Sequence, residues 1–443
     1  MRRLGLLPAG VPDGRGEDPA LATARLDAEI VVYYPDTADS LYQLQQWYPA
    51  LRVLHRVHPA RIIVRDSRVA DLVRRDSELP VTVVVNMHTL EGLLLRSDAR
   101  VALYVNHSPL NFHLLRFASL AHVSLLHGDS DKTISVSNQT KAYDFAFVAG
   151  RAAVDRVREN LPLFDESRLM IVGRPGLDAE RLERAAARGN GGAVPVDGAV
   201  PVGGAVPVGG AVPVGGAVPV GGAVPADSAV PVDGRSTVLY APTWEGAQVT
   251  ASYGSVTSHG ETVVRILLQA GYRVIYRPHP LTGVRLAGFG DADRRMREMI
   301  AAAATRDPDA GHRVDLDVPL SHSLDDADLL VCDVSAVAIE WLPTERPLII
   351  TVPVGTQVAA ADTELARVAP RLPATELAGL GPLVQRELRD DPTRDRRLAL
   401  IEYYLGKITP GAATGEFLAA VDEVIARRDA EWSRVVANGG RKP

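Results

Sequence analysis

Short apolar runs alternate with amphipathic segments through the first 190 residues of the chain. Runs rich in Val, Ile and Leu predict strands at 30–34, 61–64, 81–85, 101–105, 123–126, 145–149 and 169–172. Segments with helical periodicity lie between them, at 68–75, 90–96 and 151–160. Blunt apolar runs separated by amphipathic helices are typical of βα units on a buried parallel sheet.

The same pattern restarts after residue 236. Strands are predicted at 238–240, 273–276, 329–332 and 348–351, and helices at 261–270, 293–303 and 336–342. Residues 395–436 read as paired helices with little strand signal. The simplest architecture is α/β, with two tandem Rossmann-like domains that face each other across a cleft and hold a ligand at the carboxyl ends of their strands.

A low-complexity repeat separates the two halves. Its prolines recur every sixth residue in the unit Gly-Gly-Ala-Val-Pro-Val, at positions 195, 201, 207, 213, 219, 225 and 231. Proline and glycine at this density exclude a membrane-spanning helix. We interpret the repeat as an interdomain linker, and two readings of it remain open: a tandem expansion in a tolerated linker, or an elastic tether or self-association segment.

The predicted order along the chain follows from these patterns. It comprises a disordered N-terminal extension at 1–27, a first domain at 28–188, the linker at 189–235, a second domain at 236–390, C-terminal helices at 391–436 and a tail at 437–443.

Charge and cysteine content narrow the class of protein. A net charge of −6 over 443 residues gives no basic footprint for nucleic acid. The single cysteine, Cys332, excludes an internal disulfide and fits a reducing compartment. The apolar run near Met1 is short and is interrupted by Pro8 and Pro12, so we expect no signal peptide and a cytoplasmic protein.

Two C-terminal segments, 394–404 and 417–428, carry basic and apolar faces. These faces could rest on anionic lipid at the cytoplasmic side of a membrane. They could equally brace the junction between the domains, and the sequence leaves both alternatives open.

The first candidate for chemistry is His127, which follows the predicted strand 123–126 and precedes Gly128. A histidine just past the carboxyl end of a parallel strand is well placed to act as a general base in a cleft. Asp129 could orient its imidazole or be a solvated loop charge, and a purely structural role for His127 is the alternative.

Two further motifs end strands in the second half. Tyr240-Ala-Pro-Thr243-Trp244 ends the first strand, and Arg277-Pro-His279-Pro ends the next. The proline between Arg277 and His279 restricts the backbone, so that a guanidinium and an imidazole could be held against a pyrophosphate. Core packing of Trp244 and a turn or capping role for Thr243 are the alternatives.

The third motif, Asp328-Leu-Leu-Val-Cys-Asp333-Val-Ser335, runs from a buried strand into a helix. Ser335 could cap that helix or bind a phosphate at its amino terminus. Glu340, further along the helix, could reach a ribose or stay at the surface.

The joint order of these motifs resembles the CDP-glycerol glycerophosphotransferase family of teichoic-acid polymerases and primases. The resemblance covers roughly residues 100–425, interrupted by the repeat, and includes a Gly-x-Pro-x-x-Asp motif that ends at Asp178. It implies a GT-B fold, with an acceptor domain first and a nucleotide-donor domain second. It also implies a bacterial transferase that moves an alditol phosphate from a CDP-alditol to an acceptor hydroxyl and releases CMP, in cell-wall polymer synthesis.

The resemblance also assigns roles. It implies that His127 is the base on the acceptor hydroxyl and that His279 is a second catalytic residue. The residues it places at the donor and its phosphates are Lys132, Arg277, Asp333 and Ser335. From their positions alone we add Thr243 as a donor-binding candidate and Asp129 and Glu340 as accessory candidates. The implied acceptor is a polyol phosphate or glycan, lipid-linked in the family. No metal held by protein ligands is expected, and a divalent cation carried by the donor diphosphate is compatible with the chemistry.

Three motifs differ from the family pattern. Asp129 and Ser130 follow His127-Gly where the family has Thr-Pro, Val334 replaces a tyrosine, and Glu245 replaces an arginine after Trp244. Two alternative functions are therefore kept. One is another GT-B enzyme, a nucleotide-sugar glycosyltransferase or epimerase. The other is a non-catalytic nucleotide-binding or scaffold protein.

Overall fold

The computed structural model describes residues 12–125, 136–187, 234–246, 254–316, 318–353 and 363–438. His127, Asp129, Lys132 and nearly all of the predicted linker lie outside these ranges. The described residues form two parallel sheets, one before the repeat and one after it.

The first sheet has seven parallel strands in the order β3-β2-β1-β4-β5-β6-β7. The strands are β1 (Ile30–Tyr34), β2 (Ala60–Val64), β3 (Val81–Val83), β4 (Val101–Tyr104), β5 (Ala121–Ser124), β6 (Phe145–Val148) and β7 (Leu169–Ile171). Each overlaps one of the predicted apolar runs. In the interior strand β1, Ile30 pairs with Ala60 on one side and with Val101 on the other.

Helices cover both faces of this sheet. They are α1 (Asp18–Leu21), α2 (Tyr42–Gln45), α3 (Tyr48–Val57), α4 (Ser67–Ser77), α5 (Met87–Leu95), α6 (Phe112–Leu115), α7 (Arg151–Asn160) and α8 (Pro175–Ala187). Because side chains alternate along a strand, Val32 of β1 packs into the core on one face and Val31 into the core on the other. Both residues are fully buried, as a strand between two helical layers requires.

The second sheet repeats this plan in the order β10-β9-β8-β11-β12-β13. Its strands are β8 (Thr237–Ala241), β9 (Arg273–Tyr276), β10 (Arg313–Val314), β11 (Leu329–Cys332), β12 (Leu348–Val352) and β13 (Arg371–Pro373). Its helices are α9 (Glu261–Gln269), α10 (Ala287–Arg306), α11 (Leu320–Asp325), α12 (Ala336–Trp341), α13 (Glu364–Val368) and α14 (Leu380–Asp390). The prediction of two Rossmann-like α/β domains is confirmed. The two outermost strands, β10 (Arg-Val) and β13 (Arg-Leu-Pro), leave no apolar run in the sequence.

The chain ends in α15 (Arg394–Leu398), α16 (Ile401–Leu405) and the long α17 (Ala412–Ala437). Tyr404 of α16 shares a core cluster with Ala152 of α7, and α17 returns to the first domain, where Phe417 and Val421 are fully buried. The apolar faces of these helices are thus covered by protein. The structure favours the bracing alternative over lipid contact for them.

Asp178 fixes the start of α17. Its Oδ1 accepts a hydrogen bond from the Gly411 N–H (2.8 Å), and its Oδ2 accepts from the Thr414 N–H and hydroxyl (2.9 Å each). A carboxylate at a helix amino terminus satisfies unpaired N–H groups and complements the helix dipole. The Gly-x-Pro-x-x-Asp motif therefore docks the last helix onto the first domain.

The expected disorder at 1–27 is wrong for its described part, residues 12–27. Asp18 accepts hydrogen bonds from the backbone N–H groups of Val85 (3.3 Å) and Asn86 (2.8 Å), and Leu26 is buried in the first domain. These contacts hold the segment against the sheet. No helix in the described part of the chain is long and apolar enough to cross a membrane.

Candidate functional site

The motifs of the second domain meet at the carboxyl edge of its sheet, as the sequence predicts. The Trp244 and His279 rings stack with centroids 5.9 Å apart and an interplanar angle of 18°. Tyr42 of α2, in the first domain, meets the His279 ring edge-on at 5.6 Å. His279 therefore lies where the two domains face each other, and Trp244, which is only half-buried, is not a core residue.

Arg277 is half-buried beside His279. Its Nη1 donates to Ser323 Oγ (3.0 Å), and that hydroxyl donates to Asp315 Oδ2 (2.7 Å). Burial lowers the pKa of the Arg277 guanidinium, while the carboxylates of Asp315 and Glu340 raise it. A guanidinium stays charged under these conditions, so Arg277 brings a fixed positive charge to this edge.

Asp333 has a different role from the one expected. Its side chain is fully buried and accepts hydrogen bonds from the backbone N–H groups of Thr243 (2.7 Å) and Ser255 (3.1 Å) and from the Thr351 hydroxyl. Burial raises the pKa of this carboxyl group, and its hydrogen bonds oppose that shift. This corrects the expectation that Asp333 contacts nucleotide or phosphate: it holds the turn of Thr243 in place. A ligand contact by the buried Thr243 stays a prediction.

Glu245 stabilises the neighbouring loop. It is 3% exposed, and its carboxylate accepts hydrogen bonds from the backbone N–H groups of Gly283 (3.0 Å), Arg285 (2.8 Å) and Leu286 (3.1 Å). Burial alone would raise the pKa of Glu245, but these backbone donors lower it below its ordinary value. The family has an arginine at this position, and an arginine could not accept these hydrogen bonds. The backbone N–H groups of the loop that follows His279 thus pair with the glutamate that this chain has in its place.

Ser335 occupies the N-cap position of α12, yet its side chain makes no capping hydrogen bond. Its Oγ is buried and has no hydrogen-bond partner within the described ranges. Of the two alternatives for Ser335, capping is therefore wrong. The alternative, a hydroxyl that binds phosphate, stays a prediction.

Glu340 is not a surface carboxylate. It is buried in an ion pair with Arg174, which follows β7 in the first domain and also donates to Gln46 Oε1 (3.3 Å). The side chains of the pair are only 14% (Arg174) and 7% (Glu340) exposed. This corrects the surface alternative: Glu340 joins the two domains next to the site, and its contact with a ribose stays a prediction.

The carboxyl edge of the first sheet carries a polar cluster that sequence reasoning missed. Asp36 follows β1, and the tripeptide Asn106-His107-Ser108 follows β4. Asp36 accepts hydrogen bonds from the Asn106 amide and the Ser108 hydroxyl, both at 2.7 Å. The signal was available, since this tripeptide has the same position after its strand as His127 has after β5.

The imidazole of His107 makes no hydrogen bond to the described residues around this edge. Both of its ring nitrogens are buried without a hydrogen-bond partner among the described residues, and its ring lies 6.2 Å from that of Tyr143. Burial lowers the pKa of His107 to about 4, which keeps the imidazole neutral near pH 7.

The described residues that precede His127 end beside this cluster. The last of them, Leu125, donates its N–H to the carbonyl of Tyr104, the final residue of β4 (2.7 Å). The described ranges contain no group of three or more His, Cys, Asp or Glu side chains that could hold a metal ion.

Two Rossmann-like domains joined at the carboxyl edges of their sheets, with the candidate residues at that junction, define a protein of the GT-B class. The family model "CDP-Glycerol:Poly(glycerophosphate) glycerophosphotransferase" matches residues 225–354, which include every motif of the second edge. The second domain is therefore similar to the CDP-glycerol glycerophosphotransferase family, and the resemblance inferred from the sequence is confirmed.

Solved structures agree on the fold. A variant of the wall teichoic acid polymerase TagF superposes with a TM-score of 0.55 at 12% sequence identity. The match covers 92% of this chain and 90% of the TagF chain. The UDP-GlcNAc 2-epimerase from Neisseria meningitidis, bound to UDP-GlcNAc, gives a TM-score of 0.51 at 9% sequence identity. That match covers 91% of this chain and 100% of the epimerase chain. At such identities the likeness concerns the fold alone. A comparison with curated proteins gave no match.

Proposed function

We propose that this protein transfers glycerol phosphate, or a related alditol phosphate, from a CDP-alditol to an acceptor hydroxyl and releases CMP, in the synthesis of a teichoic-acid-like polymer. The observation that carries the proposal is the family match over 225–354. Its motifs converge on the edge that holds Arg277, His279 and Ser335. A TagF structure soaked with CDPG, at a TM-score of 0.51 and 12% identity, supports the choice of donor.

The proposed reaction is an in-line displacement. The acceptor oxygen attacks the β-phosphorus of the donor, a new oxygen–phosphorus bond forms, and the bond from that phosphorus to the bridging oxygen breaks so that CMP leaves. His127 takes the proton of the acceptor hydroxyl. Arg277 and His279 stabilise the charge that develops on the leaving phosphate.

The donor assay separates this proposal from its rivals. Release of CMP is measured with CDP-glycerol, CDP-ribitol and UDP-GlcNAc as donors. We expect turnover with a CDP-alditol and none with UDP-GlcNAc. Preference for the UDP-sugar would support the glycosyltransferase or epimerase alternative, and nucleotide binding without CMP release would support the scaffold.

Variants test the assigned residues. His127→Ala and His279→Ala should each lower the transfer rate at least about 100-fold, because each removes a group that handles a proton or charge at the reacting centre. His88→Ala is the matched control, since His88 is exposed on α5 of the first domain. Wild-type rates in both site variants would contradict the assignment.

The donor, and not the protein, is proposed to carry the divalent cation. Magnesium is usually held by substrate phosphates with few protein ligands. We therefore expect transfer to stop when EDTA is added, and calorimetry to detect magnesium binding only when CDP-glycerol is present. Tight binding of magnesium to the protein alone would contradict this.

Peripheral contact with an anionic membrane is proposed for the first domain, where a lipid-linked acceptor would arrive. Leu110 and Phe112 are 37% and 55% exposed, and Arg116 is exposed beside them. Exposed apolar side chains next to a cation suit the interface of an anionic bilayer. Phe112→Ser should weaken flotation with anionic liposomes, whereas Leu163→Ser, at a fully exposed leucine after α7, should not. Equal flotation of both variants and wild type would contradict the proposal.

A further inference from the structure

The polar cluster at the carboxyl edge of the first sheet consists of Asp36, Asn106, His107, Ser108 and Asn111. We propose that it is a subsite for the hydroxyl groups of a polyol acceptor, with His107 and the amide oxygens of Asn106 and Asn111 in direct contact with those hydroxyls. This proposal rests on the proposed function in one respect, because only a transferase of that kind has a polyol acceptor for the cluster to bind.

Internal hydrogen bonds hold the cluster in shape. Asp36 fixes Asn106 and Ser108, as described above. Asn111, which is fully buried, donates through its amide to the Asn106 carbonyl (2.7 Å) and to the Tyr143 hydroxyl (2.9 Å). Side chains that are fixed before binding lose little conformational entropy when a ligand arrives.

Four buried polar atoms in this network remain without partners in the described protein. They are Oδ1 of Asn106, Oδ1 of Asn111, and Nδ1 and Nε2 of His107. Leaving a polar atom buried and unpaired costs free energy, so a concentration of such atoms at one sheet edge calls for a reason. Hydrogen bonds to a ligand would supply it.

The chemistry of these atoms selects hydroxyl groups over phosphate. The two amide oxygens can only accept, and a neutral imidazole offers one donor and one acceptor. A hydroxyl can satisfy both kinds of atom because it donates and accepts. A phosphate would meet two acceptors and the nearby carboxylate of Asp36, which would repel it.

The position of the cluster fits the acceptor. Asn106 also donates to Gln43 Oε1 (2.9 Å), and the Gln43 amide donates to the hydroxyl of Tyr42 (3.3 Å), whose ring contacts His279. The cluster is thus linked by three contacts to the donor edge. Leu125, directly after β5, donates its N–H to the carbonyl of Tyr104, two residues before Asn106 (2.7 Å).

Steady-state kinetics with two variants test the proposal. His107→Gln and Asp36→Asn should each raise the KM for a polyol-phosphate acceptor at least about tenfold and leave the KM for CDP-glycerol within twofold. His88→Gln, the same substitution at an exposed histidine, is the control. An unchanged acceptor KM in both variants, or an equal rise in the donor KM, would overturn the subsite.

A binding measurement keeps this test independent of turnover. The ring signals of His107, assigned by their loss in His107→Gln, are followed by NMR while the wild-type protein is titrated with ribitol or with inorganic phosphate. We expect ribitol to shift them and phosphate not to. If ribitol shifts them in a protein that releases no CMP, the subsite stands and the proposed function falls. If ribitol shifts nothing, or if phosphate shifts them instead, the subsite is overturned even when CMP is released.

Discussion

The carboxyl edges of the two sheets are built on the same strand order, around β1 in the first sheet and around β8 in the second. The side chains that they present differ in charge and in hydrogen-bonding groups. The second edge presents a cation and stacked rings, Arg277 with Trp244 and His279, while its carboxylates Asp333 and Glu245 are turned inward onto backbone N–H groups. The first edge presents amides, a hydroxyl and a neutral imidazole. Because a shared fold sets only where ligands meet the protein, this difference supports the two proposals above: phosphate at the second edge and hydroxyl groups at the first.

The largest expected effect comes from breaking the ion pair that joins the two edges. Glu340→Gln leaves the Arg174 guanidinium buried without its counter-charge, which should cost about 4 kcal/mol of stability. Thermal unfolding followed by calorimetry measures it. Glu298→Gln is the control, since Glu298 pairs with Arg294 at the surface and its loss should change little. Equal melting temperatures for the two variants would show that the pair does not hold the domains together.

A smaller effect should appear as a pH dependence that belongs to the first edge. Burial lowers the pKa of His107 to about 4 from an ordinary value of 6.5, so the unfolded chain binds a proton more readily than the folded one between these values. Stability should therefore fall as the pH drops from 6.5 towards 4, by up to about 3 kcal/mol from this residue.

Urea unfolding of wild type and of His107→Gln across this pH range isolates the contribution. The difference in unfolding free energy between the two proteins should change steadily with pH, because other titrating groups are common to both. A difference that stays constant from pH 6.5 to pH 4 would mean that His107 is not held neutral, and the contrast between the edges would be lost.

The strands could be predicted from the sequence because their signal is local. A run of Val, Ile and Leu between amphipathic segments marks β1 or β11 whatever surrounds it, whereas β10, with two residues, leaves no such run. The roles of side chains at the edges depend on partners far away in the chain. Asp333 is buried by Thr351 and by a turn some 90 residues earlier, and Glu340 pairs with Arg174, 166 residues away. Sequence position alone could not show that both had partners inside the protein.

The phosphate contact proposed for the second edge can be tested at Arg277. Arg277→Gln should raise the KM for CDP-glycerol about tenfold, or roughly 1.4 kcal/mol, and leave the acceptor KM unchanged. Ser323→Ala is the matched control because it removes the partner of Arg277 but keeps the charge. If both variants raise the donor KM equally, Arg277 acts by supporting the fold; if only Arg277→Gln does, its charge contacts the donor.

The smallest effect is expected at Asp178, which docks α17 on the first domain and so stabilises the domain that carries the first edge. Asp178→Asn removes the charge at the helix amino terminus and one acceptor for its N–H groups, which should cost about 1 kcal/mol and loosen the first turn of the helix. Hydrogen exchange of the Gly411 and Thr414 amides measures this directly. Glu416→Gln is the control, because Glu416 lies in the same turn but pairs at the surface with Lys407. We expect faster exchange only in Asp178→Asn and an unchanged KM for CDP-glycerol, which would show that α17 stabilises the first domain without affecting donor binding. A raised donor KM would show that the two edges are coupled through α17.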